Sequence, residues 1–356
     1  MLWRRFTLLG ALLAVLPPVQ AFLDPFTLTG FGIGTAALAL YAELENSMMN
    51  HVFGQHLVID IVVKALRGHF YRGHPSKALA MSFHGWPGGG KNYVSQFITN
   101  SLYAKGSRSR FVHFFAGKLH FPLQEQADIY RKLKGRFSSV FACPDQTEPI
   151  CRLFQLHLQD WIRGNVSQCY WSTFIFDEVD KMPRGVLDAV KPFIDHHDHI
   201  DGVEYRHAIF IFLSNTGGNT ITKRHLELWQ SGKRREDFEL RDFEDLIRKG
   251  AFNEAGGFHK SEAIESNLID HYVPFLPLEE KHVRLCVIEE FKKRGVMNPQ
   301  EELVDEIMKD VTFGPNKQRI FSNSGCKRLS HKVLTLIERL KYRDMTEEDM
   351  HFYTRR

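Results

Sequence analysis

Short apolar runs alternate along this chain with longer segments whose apolar residues recur every three or four positions. The runs at 78–83, 173–176, 208–214 and 272–278 hold few polar residues, and each predicts a strand buried on both faces. Partial alternation over 110–115, after the Gly106-Ser107 turn, predicts one more strand. Helical spacing predicts helices over 48–70, 92–103, 126–137, 149–163 and 186–196. The highly charged stretch 223–250 reads as an exposed pair of helices, and 278–295, 300–311 and 327–340 form a closing helical set. Strands alternating with helices predict an α/β fold: a parallel sheet flanked by helices, over 48–277. A small C-terminal helical subdomain follows over 278–342, and 343–356 is a polar tail.

One stretch organises the rest. Gly85-Trp86-Pro87-Gly88-Gly89-Gly90-Lys91-Asn92 lies between the first buried strand and a helix, the context that a phosphate-binding P-loop requires. The glycines let backbone N–H groups close around phosphate oxygens, the helix N-terminus adds its dipole, and Lys91 reaches the terminal phosphates. Asn92 stands where a Ser or Thr hydroxyl usually meets Mg²⁺.

Three later positions fit the same chemistry. Asp177-Glu178 ends an apolar strand, so Asp177 can hold Mg²⁺ beside the phosphates and Glu178 can orient or deprotonate the attacking water. Asn215 follows the next strand at the same sheet edge, where it can polarise that water or the γ-phosphate. A solvated turn and a capping Asn are the alternatives at these positions. Lys327 begins the last predicted helix; a cation there would sense the γ-phosphate from a second subdomain, although spacing alone favours a solvent lysine. Neighbouring residues His196-His197-Asp198-His199 are too close in sequence to face one ion together.

A formal charge of +4, with basic and acidic residues interspersed, marks no nucleic-acid surface. The N-terminus adds more. Arg4 and Arg5 precede an apolar run over 6–16 and small residues up to Ala21, which predicts a signal peptide over 1–21; an uncleaved anchor is the alternative. A second apolar stretch, 26–42, lies in a hydrophobic, membrane-associating segment over 22–47. As a helix it would reach roughly 25 Å, and it reads as lying in one leaflet, with packing on the globular domain as the alternative. Five cysteines behind a signal peptide permit disulfides and leave an odd thiol. Asn165-Val166-Ser167 is a glycosylation sequon.

Taken together, GWPGGGKN, FIFDEVDKM, IFLSNTGGN and NSGCK resemble the torsin family, AAA+ ATPases of the endoplasmic reticulum lumen and nuclear envelope related to Clp-type unfoldases. The resemblance implies an AAA+ P-loop domain, ATP and Mg²⁺ as cofactors, and a homo-oligomer. It implies Lys91 as the Walker A lysine, Asp177 and Glu178 as the Walker B pair, Asn215 as sensor 1 and Lys327 as sensor 2. Residues 52–56 resemble the segment lining the adenine pocket, and Cys286 and Cys326 are implied to form a disulfide.

Two departures stand out. Clp-type proteins carry an arginine finger in an asparagine–arginine–isoleucine–aspartate run, where this chain has Asn267-Leu268-Ile269-Asp270. An aromatic-glycine pore loop is missing between Gly117 and Arg136. Without a finger, worth roughly 10³–10⁵ in rate, ATP should be hydrolysed slowly by the chain alone. The resemblance supplies a remedy: a membrane-anchored activator whose lumenal AAA-like domain inserts an arginine in trans. The expected function is a chaperone-like remodeller of proteins or membranes. A nucleotide-gated scaffold is the alternative, favoured by Asn92 and Pro87.

Overall fold

The structure, a computed structural model, describes residues 33–71, 75–117, 149–182, 186–314 and 319–344. The predicted signal peptide, the predicted helix over 126–137, the missing pore loop and most of the tail lie outside the described residues.

Five strands form one sheet: β1 (Leu79–His84), β2 (Val112–Ala116), β3 (Thr173–Asp177), β4 (Ile209–Ser214) and β5 (His271–Pro274). Their order is β2-β3-β4-β1-β5, and every neighbouring pair is parallel. The helices used below are α1 (Ile33–His51), α2 (His56–Tyr71), α3 (Lys91–Leu102), α4 (Pro149–Gln168), α5 (Gly218–Gln230), α6 (Glu244–Asn253), α7 (Glu280–Lys292), α8 (Glu301–Lys309) and α9 (Leu329–Asp344). Burial of β1 and β4 along their whole length explains their largely apolar character. Phe174 stacks on Phe210 at 5.0 Å and Phe176 on Phe212 at 5.2 Å, so aromatic pairs tie β3 to β4. Each such pair adds about 0.5–1.5 kcal/mol beyond the area it buries.

Register brings the chemistry to one edge. His84 pairs with Ser214 and Ala116 with Asp177, so the segments leaving β1, β3 and β4 emerge side by side at the C-terminal end of the sheet. That is where ligands sit in open parallel sheets.

A second apolar cluster lies apart from the sheet. Leu278, just before α7, and Val283, Phe291, Val304, Leu329 and Val333 of α7, α8 and α9 are among its buried residues. A two-stranded antiparallel pair, β6 (Phe313–Gly314) and β7 (Phe321–Ser322), completes it.

Several sequence expectations change. The single helix predicted over 48–70 is two: α1 ends at His51, Gly54 turns the chain with φ +70°, and α2 starts at His56. A left-handed turn of this kind favours glycine. From Ile33 the apolar segment is part of α1, which buries Tyr41, and beyond the segment Leu44 and Met48, in the main core. Packing on the globular domain therefore describes its C-terminal part. Among the described residues no helix is long and apolar enough to cross a membrane. The helix expected over 186–196 is a 3₁₀ turn at Val186–Val190 followed by one short helical turn, Lys191–Ile194. β5 stops at Pro274, and 275–278 leaves the sheet as a connection, consistent with prolines that cannot donate to a ladder. The charged stretch 223–250 is not a solvated pair of helices: Arg235, Phe238, Phe243 and Ile247 are buried.

Candidate functional site

The glycine loop runs from the end of β1 into α3. Lys91 opens that helix, only 7% exposed, and its Nζ donates to the carbonyls of Gly85 (2.6 Å) and Trp86 (3.2 Å) and to Asn215 Oδ1 (3.0 Å). Burial pulls the ammonium down to about 8; Asp180 and Asp177 pull the other way, and Lys327 adds to the depression. Next along the helix, Asn92 Nδ2 donates to Asp177 Oδ2 at 2.7 Å. The position that usually carries a hydroxyl thus reaches the strand-end carboxylate directly.

Asp177 closes β3 and also accepts from the Glu178 backbone N–H at 2.8 Å. Glu178 has φ +53° and ψ +44°, the left-handed region, an uncommon place for a residue with a side chain. Such a conformation costs of the order of 1–3 kcal/mol and persists where surrounding structure holds it.

Asn215 follows β4. Its backbone N–H donates to Asp180 Oδ1 at 3.1 Å, and Nδ2 lies 3.3 and 3.4 Å from the two Asp180 oxygens. Asp180, a site residue that the strand-end pattern does not single out, therefore faces the amide towards Lys91. Burial pushes its carboxyl up, but hydrogen bonds from Asn215 and Lys181 outweigh this and hold it below the usual range. Its signal was available, since Asp180 lies three positions beyond Asp177 in the same acidic turn.

Gln55 clamps the loop from behind. Only 1% exposed, it donates to the carbonyls of Gly89 (3.0 Å) and Leu276 (2.9 Å) and accepts from Leu276 N–H (3.0 Å). Residues 52–56 therefore join the P-loop to the connection between the two cores. Arg235 supports them: it donates to Gly54 O through Nε (3.0 Å) and Nη2 (2.6 Å), and through Nη1 to Pro277 O (2.8 Å) and Glu279 Oε1 (3.1 Å).

The second core touches the loop from the other side. Cys326 N–H donates to Gly88 O at 3.3 Å, and a Cβ added at Gly88 would lie 1.9 Å from Ser324 O. With φ +87° as well, Gly88 admits no side chain. Cys326 is bonded to Cys286 of α7, with S–S 2.06 Å, so the disulfide anchors the turn that meets the loop. Lys327 does not begin α9; it lies exposed in the turn before Leu329. Trp86 is 45% exposed, and with Pro87 it lines a cleft of about 530 Å³ between the cores.

Leu268, at the arginine-finger position, is buried in the main core, and Lys77 Nζ donates to its carbonyl at 3.0 Å. The sequon residue Asn165 sits in α4, its Nδ2 donating to Trp161 O at 2.8 Å.

The family model described as Torsin matches residues 34–144, and one described as Torsin-1A, C-terminal domain matches residues 278–335. A Torsin-like protein of Caenorhabditis elegans is 38% identical over 314 residues, covering 88% of this chain and 81% of the relative. Among solved structures, the S. cerevisiae Hsp104–ADP complex aligns with a TM-score of 0.57 at 16% identity, over 89% of this chain and 50% of that one. Closed-state Hsp104 with ATPγS and FITC casein aligns at 0.56 and 17%, over 87% and 49%. The chain thus spans about half the length of each Hsp104 chain, and the likeness establishes the AAA+ fold.

Proposed function

The chain belongs to the torsin family, and on that premise we propose that it is an ATPase dependent on an activator. ATP would bind across the P-loop, Gly85 to Asn92, with Lys91 exchanging the Gly85 and Trp86 carbonyls for phosphate oxygens. Glu178 orients and deprotonates the attacking water, Asn215 positions it, and Lys327 approaches the γ-phosphate from the helical subdomain. Residues 22–47 take part in membrane association, their C-terminal part packed on the fold. The setting is the endoplasmic reticulum lumen and nuclear envelope, reached through the predicted signal peptide, with Asn165 as a glycosylation site. Copies of the chain assemble into a homo-oligomer that remodels proteins or membranes.

Mg²⁺ fits the residues present. The Asp177 carboxylate and the Asn92 side-chain oxygen are hard donors within one hydrogen-bonded pair. Among the described residues no cluster of three or more His, Cys, Asp or Glu could hold a metal, so phosphate oxygens and water would complete the shell. When bound, the cation neutralises phosphate charge.

One observation carries the proposal: Lys91 and Asn215 meet at 3.0 Å at the sheet edge, while the arginine-finger position is a buried leucine. The Lys91 ammonium and the Asn215 amide meet, and a leucine stands where the resemblance would place the transition-state cation. The experiment is ATP binding and turnover by the chain with and without lumenal AAA-like domains of membrane-anchored partners, Glu178→Gln serving as the binding-competent, turnover-dead control. The second reading, a nucleotide-gated scaffold, is favoured by the Asn92–Asp177 contact, which occupies a carboxylate oxygen the cation would use. Tight ATP binding with no turnover under any pairing would select it.

A further inference from the structure

β1 is buried along its whole length, yet two of its residues, Ser82 and His84, are polar. They lie on the same side of the strand, and His84 directly precedes the first glycine of the P-loop. Ser82 Oγ is 2.7 Å from His84 Nε2, and His84 Nδ1 is 3.2 Å from both the carbonyl and the hydroxyl of Thr216. A carbonyl only accepts, so Nδ1 carries the proton and Nε2 accepts from the Ser82 hydroxyl. Thr216 is the residue after Asn215, and its Oγ1 meets Ser214 Oγ at 2.7 Å. Phe258 and Tyr272 rings flank the imidazole at 6.3 and 6.1 Å.

A fully buried imidazole in a parallel-sheet core is costly unless both nitrogens are satisfied, and an apolar residue would fill this position at less cost. What the polar version adds is a tie between two chemical segments. Asp180 holds Asn215 from one side; the His84–Thr216 bond holds the same turn from beneath, directly against the P-loop.

We propose that His84 is a positioning residue for Asn215, fixing the turn after β4 relative to the P-loop through its Nδ1–H to Thr216. This deepens the ATPase reading and rests on it. His84 does not touch nucleotide; it keeps the Asn215 amide at the place where water and γ-phosphate meet. Misplacement by about 1 Å can cost about a hundredfold in rate.

Two isosteres separate this role from simple packing. Asn at position 84 sets its amide nitrogen where Nδ1 lies and keeps the Thr216 bond; Gln sets its nitrogen where Nε2 lies and keeps only the Ser82 contact. In full chain stimulated by an activating lumenal domain, His84→Gln should lower kcat at least tenfold with KM for MgATP unchanged. His84→Asn should stay within a few-fold of the unsubstituted chain. Equal kcat for His84→Gln and the parent overturns the proposal, as does an equal loss in both variants at equal melting temperature. A second readout needs no activator: amide hydrogen exchange of 215–218 should accelerate at least tenfold in His84→Gln and not in His84→Asn, and identical exchange in both overturns the tie. Absence of stimulated turnover in the parent would sink the ATPase reading instead, leaving the exchange result to judge His84.

Discussion

Replacing Arg235 by Met should be among the most damaging single changes outside the P-loop. Arg235 is 5% exposed, and its guanidinium donates to Gly54 O, Pro277 O and Glu279 Oε1, joining the segment before α2, the connection between the cores, and the helical subdomain. Met keeps the bulk and removes every donor. The buried Pro277 carbonyl and the half-buried Gly54 carbonyl then lose their partners, at roughly 1–3 kcal/mol for the buried one and less for the other. The Glu279 carboxylate, only 23% exposed, loses its close cation. Breaking a buried pair by removing one partner costs about 3–5 kcal/mol in other proteins, and that range is expected here, a large share of the roughly 5–15 kcal/mol that holds a domain together. At about 2–4 °C per kcal/mol for a domain of this size, the melting temperature should fall by roughly 6–20 °C. Because Arg235 props Gly54, and Gln55 next to it holds Gly89, ATP affinity should fall in parallel. Arg235→Lys should rescue little, since an ammonium cannot span three acceptors with a planar fork. Thermal and urea unfolding, with nucleotide binding measured on the same samples, are the assays. A loss below about 1 kcal/mol would refute the reasoning.

Other predictions follow from the same site. Lys91 stands at about 8, and phosphate would favour its charged form, so ATP binding near pH 8.5 should take up a fraction of a proton and weaken as pH rises above 8; calorimetry in buffers of different ionisation enthalpy checks this, and pH-independent affinity to pH 9.5 contradicts it. Leu268→Arg should not create autonomous turnover: the position is 5% exposed, so the guanidinium would be buried unpaired and the protein destabilised by several kcal/mol, read as a melting shift. Burial holds His84 and His69 at about 4 and His225 and His282 at about 3. The unfolded chain therefore binds more protons below pH 6.5, and stability should drop as pH falls from 6.5 towards 4, which urea titrations would read.

The chemistry was legible where it depends on local order. Strand, glycine loop, lysine and helix are consecutive, and the acids and Asn215 each end an apolar run, so sequence placed all of them at one sheet edge. What escaped was whatever depends on distant partners. Arg235 sits in a run of charges that looks solvated, and only the fold shows three acceptors from outside that run converging on it. Asp180 was hidden by its more familiar neighbours, and its meaning emerges from Asn215, 35 residues away. The break within 48–70 leaves no mark in the periodicity, because helical spacing continues across Gly54, where one positive φ redirects the chain. Cys286 and Cys326 are 40 residues apart, and no local signal pairs them; only the family resemblance implies the bond.

The measurement that bears most directly on the central claim is steady-state ATP turnover by the full chain, alone and mixed with an activating lumenal domain whose candidate arginine is intact or replaced. The account predicts slow turnover alone, a large rise with the intact partner, none with the arginine-less partner, and none with Glu178→Gln in any mixture. Fast turnover by the isolated chain would contradict it, because the only residue at the finger position is a leucine buried in the core.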